Sequence, residues 1–316
     1  MKKTVLALVV LATAGSAGVY FANNYAEDMV KQQVEQANQS YRQLAANGDM
    51  PLISLTCKDV SANVLTSSYS IAGLEVSMAE LGTVATVEQI TAKGVKPRTL
   101  ADEGSVHLVG AKAAPAILQM LPPQTSAFVQ SLALHGDYSY QYQNDGQLLF
   151  NQQTRINDEF SLSYNFTLAQ MQQFWQYAKE ISALAPEQQQ QLVGSEAYAE
   201  QIVEKLLTGA LSNGAVSIEN NGFIERAIAM TAEQGQTPDL ETIKGMALLN
   251  ISMLEPLPQN MKDALAQFVN QPEKLQLSFN FAEPLQFAKL QSGELMPELG
   301  SPEAVIEFAN LQLKAN

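Results

Sequence analysis

Strands that cluster with strands, and helices that cluster with helices, predict an α+β fold with helices covering one face of an antiparallel sheet. Three observations carry the prediction. From Leu132 to Phe166 apolar and polar residues alternate, with Asn144-Asp145-Gly146 and Asn157-Asp158 placed where the alternation stops. From Thr167 to Val269 the apolar residues recur at helical spacing instead. Near the end Leu275, Leu277, Phe279 and Phe281 alternate with Gln276, Ser278, Asn280 and Ala282 until Glu283-Pro284. A repeated strand-helix-strand rhythm is missing, which excludes Rossmann and barrel arrangements.

Composition narrows the class. The chain has 316 residues, 46% hydrophobic and 16% charged, with 18 Lys+Arg against 32 Asp+Glu and a formal charge of -14. The hydrophobic share excludes a disordered tail, and one cysteine excludes a disulfide framework. Strong acidity excludes a nucleic-acid partner gripped through phosphates, which needs clustered Lys and Arg.

The elements follow in chain order. Lys2 and Lys3 precede an uncharged stretch from Thr4 to Ala26, whose most apolar part is Val5 to Leu11. As a helix rising about 1.5 Å per residue, this stretch covers the roughly 30 Å hydrocarbon layer. The competing reading is a signal peptide cleaved near Ala14 or Ala17. The uncut anchor is preferred, because the apolar character outlasts a usual h-region and Tyr20, Phe21 and Tyr25 form an interfacial belt at its far end. Either way the positive-inside rule places Glu27 onward outside the cytoplasm.

Residues 27–48 read as a helical stalk, with an apolar seam at Val30, Val34, Ala37, Tyr41 and Leu44 stopped by Gly48 and Pro51. This seam allows self-association with a second copy. Two heptads are few for a coiled coil, so docking on its own domain ranks first. Residues 49–316 form the α+β domain. It starts with strands around Ile53 to Cys57, Leu74 to Met78, Val84 to Ala92 and Ser105 to Val109, then a short helix over Ala111 to Leu121 ending at Pro122-Pro123. In the Leu132 to Phe166 meander, Leu132, Leu134, Tyr138, Tyr140 and Tyr142 face the core, and the opposite face carries Asp137, Ser139, Gln141 and Gln143. Thr167 and Gln170 form a capping-box pair for a helix that bears Trp175 in its core stripe. Further helices span Glu196 to Leu207, Ile224 to Gln234, Thr237-Pro238 to Pro256 and Asn260 to Val269. Leu311 and Leu313 close with a strand.

Chemistry is sparse. His107 and His135 are the only histidines; a functional reading brings them together across strands with Asp137 orienting one, as a metal or acid-base site, but a solvated strand histidine is the commoner case. Cys57 shares parity with Ile53 and Leu55 and reads as buried and inert. No metal-protease, P-loop, dinucleotide or nucleophile-elbow motif is present. No catalytic residue, metal ligand or cofactor site is therefore assigned.

The basic anchor with its helical segment, the strand Leu134-His135-Gly136-Asp137-Tyr138-Ser139-Tyr140, and Leu275-Gln276-Leu277-Ser278-Phe279 followed by Glu283-Pro284-Leu285 together resemble the YdgA-like family of Gram-negative envelope proteins, whose function is not established. Members are usually longer. The resemblance implies a bacterial inner-membrane protein, single-pass, with its bulk in the periplasm, and brings no catalytic residues. The functional expectation is a non-enzymatic envelope protein that binds a protein partner or an apolar, lipid-like ligand. The alternative is a periplasmic hydrolase with catalytic residues dispersed in sequence.

Overall fold

The computed structural model describes residues 26–316 except 49, 64–66, 95–98, 194, 234, 236 and 296–298. The segment read as a membrane anchor thus lies outside the described residues, save Ala26. Among the described residues no helix is long and apolar enough to cross a membrane. The α+β class is observed, with helices packed on antiparallel sheet. Contacts divide the chain into a first unit ending at Ser139 and a second beginning at Tyr140.

The first unit begins with α1 (Ala26–Ala46), followed by β1 (Ile53–Thr56), β2 (Asp59–Asn63), β3 (Ser68–Met78), β4 (Gly82–Lys93) and β5 (Glu103–Ala113). Strands β1 and β2 lie end to end along β3, and β3–β4 and β4–β5 are antiparallel ladders. Alternation does what it predicts: Ile53 and Leu55 are buried while Ser54 and Thr56 are exposed, and Leu74, Val76 and Met78 are buried on β3. Helix α1 covers this sheet. Val30 and Val34 are 3% and 6% exposed within the core, with Ala37 and Tyr41 packed at its edge. The segment expected as a stalk is thus a helix docked on its own unit, and Leu44 is the seam residue left exposed.

A buried amide fixes that docking. Asn38 Nδ2 donates to the carbonyl of Leu55 at 2.9 Å, and Asn38 Oδ1 accepts from the Leu55 N–H at 2.6 Å. Leu55 turns both groups away from β3, so without Asn38 both would be buried unpaired, each at about 1 to 3 kcal/mol. After β5 come α2 (Pro115–Leu118) and α3 (Pro123–Gln130), then β6 (Leu134–Tyr142), which crosses from the first unit into the second. The helix expected over Ala111 to Leu121 is corrected here: β5 continues to Ala113, and Pro123 opens a helix, since a first-turn residue needs no N–H partner.

The second unit holds β7 (Leu148–Ile156), β8 (Phe160–Ala169), α4 (Gln172–Ala183), α5 (Pro186–Val193), α6 (Glu196–Leu207), β9 (Ala210–Asn220), α7 (Phe223–Glu233), α8 (Leu240–Ser252), α9 (Gln259–Asn270), β10 (Lys274–Gln286), α10 (Phe287–Ser292), α11 (Pro302–Phe308) and β11 (Gln312–Ala315). Strand order is β7-β8-β9-β10-β11, antiparallel throughout. The meander turns fall where expected, and Asn157 takes φ 48°. Strand β9, between two helices in sequence, went unread, although Val216 and Ile218 alternate with Ser217 and Glu219. Gly214 sits in it because any Cβ would lie 2.6 Å from the Phe279 ring and 2.8 Å from the Asn165 carbonyl.

Two other boundaries differ from the sequence reading. Thr167 and Leu168 stay in β8, paired with β7 and β9, so the capping box does not form; Gln170 turns the chain at φ 59° and Met171 precedes α4 without a side-chain cap. Gln188 to Gln191 lie within α5, which Pro186 starts. Helix α8 starts at Leu240 rather than at Thr237-Pro238, capped by Asp239, which accepts the Thr242 N–H at 2.8 Å. At Thr167 a ladder, and at Asp239 a nearer carboxylate, outcompetes the local motif. The strand expected to end at Glu283-Pro284 runs on to Gln286, with an irregular register between Asn280 and Leu285 that accommodates the proline.

Two substitutions test these packings. Asn38→Ala is expected to lower the first unit's stability by about 2 kcal/mol or more through the orphaned Leu55 groups, read from the urea midpoint. Gly214→Ala is expected to cost about 1 to 3 kcal/mol, because a strand carbonyl cannot move aside.

Candidate functional site

The second unit leaves the middle of its sheet's apolar face open. Register places Phe160, Leu162, Tyr164 and Phe166 of β8 on the same face as Ile218 and Val216 of β9, with Leu275, Leu277 and Phe279 of β10 continuing it. Phe150 and Ile156 of β7 and Leu313 of β11 extend the face to either side. At one end Phe160 meets the ring of Phe223 from α7, centroids 5.5 Å apart. At the other end Leu148 is buried. Between them Leu162, Val216 and Leu277 are 36%, 42% and 40% exposed, while Ser161, on the opposite face of the same strand, is 8% exposed.

That result corrects the expectation that the apolar side of the meander is uniformly buried. The sequence gives the facing of each residue, and the covering fails in the middle. Val216 and Leu277 are a direct cross-strand pair and Leu162 lies diagonal to Val216, so the exposed groups adjoin. No charged residue occurs among the register positions of this face. With strands about 4.8 Å apart, five of them span about 19 Å, an uncharged strip that attracts by dispersion and water release rather than by directed bonds. The aromatic neighbours are ordered among themselves: Phe150 on Phe166 at 5.0 Å and Phe279 on Phe281 at 5.5 Å.

The opposite face offers a polar cavity of about 260 Å³ lined by Gln153, Arg155, Ser161 and Glu219, with the Asn157 to Glu159 turn at its rim. Two of its carboxylates, Glu159 and Glu219, serve the fold. Glu159 pairs with Arg226, Glu219 holds Lys274 at 2.6 Å, and Asn220 donates to Glu225 at 2.9 Å and to the Pro272 carbonyl at 2.6 Å.

In the first unit, His107 does meet Asp137, Nδ1 to Oδ1 at 2.6 Å, on an open sheet face where the side chains are 43% and 33% exposed. His135 Nδ1 instead accepts from the Gly110 N–H at 3.4 Å. Among the described residues no group of three His, Cys, Asp or Glu side chains is placed to hold a metal. Cys57 lies just past β1, half-buried, and burial pushes its thiol up, with Asp59 adding to the shift and Lys31 opposing it. Such a thiol stays protonated at neutral pH and is a poor nucleophile. Trp175 is in the core, as expected, stacked on Tyr142 at 4.9 Å.

A family model described as "Uncharacterized protein" matches residues 153–316, a little over half of the chain. The chain belongs to that family. The matched region starts within β7 and runs to the last residue, so it contains nearly all of the exposed apolar strip. No curated protein matches the chain. The second unit also carries most of the charge: from Tyr140 onward there are 21 Asp+Glu against 9 Lys+Arg, a balance of -12 out of -14.

If the strip is surface rather than core, truncation there is cheap. Leu277→Ala is expected to cost under about 1 kcal/mol, against about 2 to 5 kcal/mol for Leu74→Ala, where the side chain is 1% exposed; paired denaturant titrations read the difference. His107→Ala is expected to change stability by less than about 1 kcal/mol, as a partly solvated cross-strand pair would.

Proposed function

We propose that the protein is a non-enzymatic, membrane-anchored envelope protein with its bulk in the periplasm, and that the apolar strip of β8, β9 and β10 holds an acyl-chain ligand. The anchoring and the compartment rest on the uncharged N-terminal stretch, the two lysines before it and the resemblance to the YdgA-like family. The ligand reading rests on one observation, the adjoining exposure of Leu162, Val216 and Leu277 on a face without charge. Soluble chains rarely leave such contiguous surface open unless something occupies it. Covering roughly 300 Å² at about 25 cal/mol per Å² contributes about 7 kcal/mol, against which the entropy of immobilising the ligand is set. An acyl chain suits the strip because it has no hydrogen-bonding groups to leave unpaired, whereas a protein interface carries a polar rim.

Titration of full-length protein with a fluorescent long-chain fatty acid is expected to give saturable binding, weakened about tenfold or more by Val216→Glu with Leu277→Glu. Equal binding by that variant sinks the reading. A second reading, a hydrolase with dispersed catalytic residues, is favoured by the His107 to Asp137 contact. It requires loss of ester turnover in a His107→Ala, His135→Ala double variant.

A further inference from the structure

Helix α8 presents a second apolar surface, distinct from the strip. Leu240, Ile243, Ala247 and Ile251 face inward at intermediate burial, as their spacing requires. The outward side should then be polar. Instead it carries Met246, Leu249 and Met253 at the i, i+3, i+7 positions of one stripe, 47%, 56% and 63% exposed, with Leu254 beyond them at 41%. Leu249 and Met253 are the most exposed large apolar side chains among the described residues. An exposed contiguous apolar stripe of this kind marks an interaction site.

Acidic groups bracket the stripe. Asp239 and Glu241 stand at its N-terminal end, the Glu241 side chain 83% exposed, and Glu255 follows its C-terminal end. Asp239 is held below the ordinary carboxylate range by hydrogen bonds from the Thr242 N–H and hydroxyl, so it stays ionised at neutral pH. The one cation on the helix, Lys244, pairs with Glu241 at 3.5 Å and is the more buried of the two.

We propose that the outer face of α8 docks a cationic amphipathic segment of a partner protein. Charge complementarity selects this occupant. A second copy would set Asp239, Glu241 and Glu255 against the same carboxylates, and the anionic surface of a membrane would be repelled by a unit at -12. Unbranched Met side chains adapt to varied apolar partners, and the apolar anchors of an amphipathic helix recur at the same i, i+3, i+7 spacing as the stripe.

Fluorescence anisotropy of full-length protein tests this with a synthetic Leu/Lys amphipathic helix and its Leu/Glu counterpart. The basic peptide is expected to bind and the acidic one not. Met246→Ser, Leu249→Ser and Met253→Ser together leave the charge unchanged and are expected to weaken binding about tenfold or more. Circular dichroism checks that the surface variant keeps its helix content, and Leu249→Ser alone serves if it does not. Glu241→Gln with Glu255→Gln is expected to weaken binding at low salt only. Undiminished binding by the serine variant overturns the proposal. So does self-association, or adsorption to zwitterionic vesicles, that the serine substitutions abolish without any peptide binding.

Discussion

An antiparallel strand sends alternate side chains to opposite faces, and an apolar face stays in contact with water until another element covers it. The two units answer this constraint differently. In the first, α1 lays Val30 and Val34 on the sheet, and the resulting core takes in apolar residues from β1 through β5. In the second, Phe223 closes one end of the face, and the other end is buried around Leu148, while Leu162, Val216 and Leu277 remain in contact with solvent. The binding reading follows from that incompleteness rather than from any reactive group.

Most of the fold was legible because two periods, two and 3.6, survive in the residues. The meander, Glu196–Leu207 and the Leu275 strand were read from alternation or helical spacing that agrees with turn residues at their ends. Failures arose where a local signal competed with a ladder. Thr167 and Gln170 look like a helix start in isolation, yet Thr167 pairs with Leu149 and Asn213. Strand β9 escaped because Gly214 interrupts its alternation, and the reason for that glycine, the Phe279 ring, lies far along the chain.

The candidate site was less legible. Alternation tells which side a residue faces, and nothing in it tells whether that side is roofed. Leu162 and Leu74 have the same character in sequence, and they differ because α1 covers the strands of the first unit and those of the second have no full counterpart. The histidines illustrate the reverse case. Their company in sequence was uninformative, and the fold does join His107 to Asp137, but on an open surface without the enclosure that sharpens acid-base chemistry.

The Asn38 amide also has a consequence for colloidal behaviour. Strand β1 lies at the rim of its sheet, where free N–H and C=O groups invite a strand from a neighbouring molecule. By occupying both groups of Leu55, a side chain from α1 removes the docking point at the middle of that rim. At high concentration the chain is thereby guarded against growing sheet upon sheet.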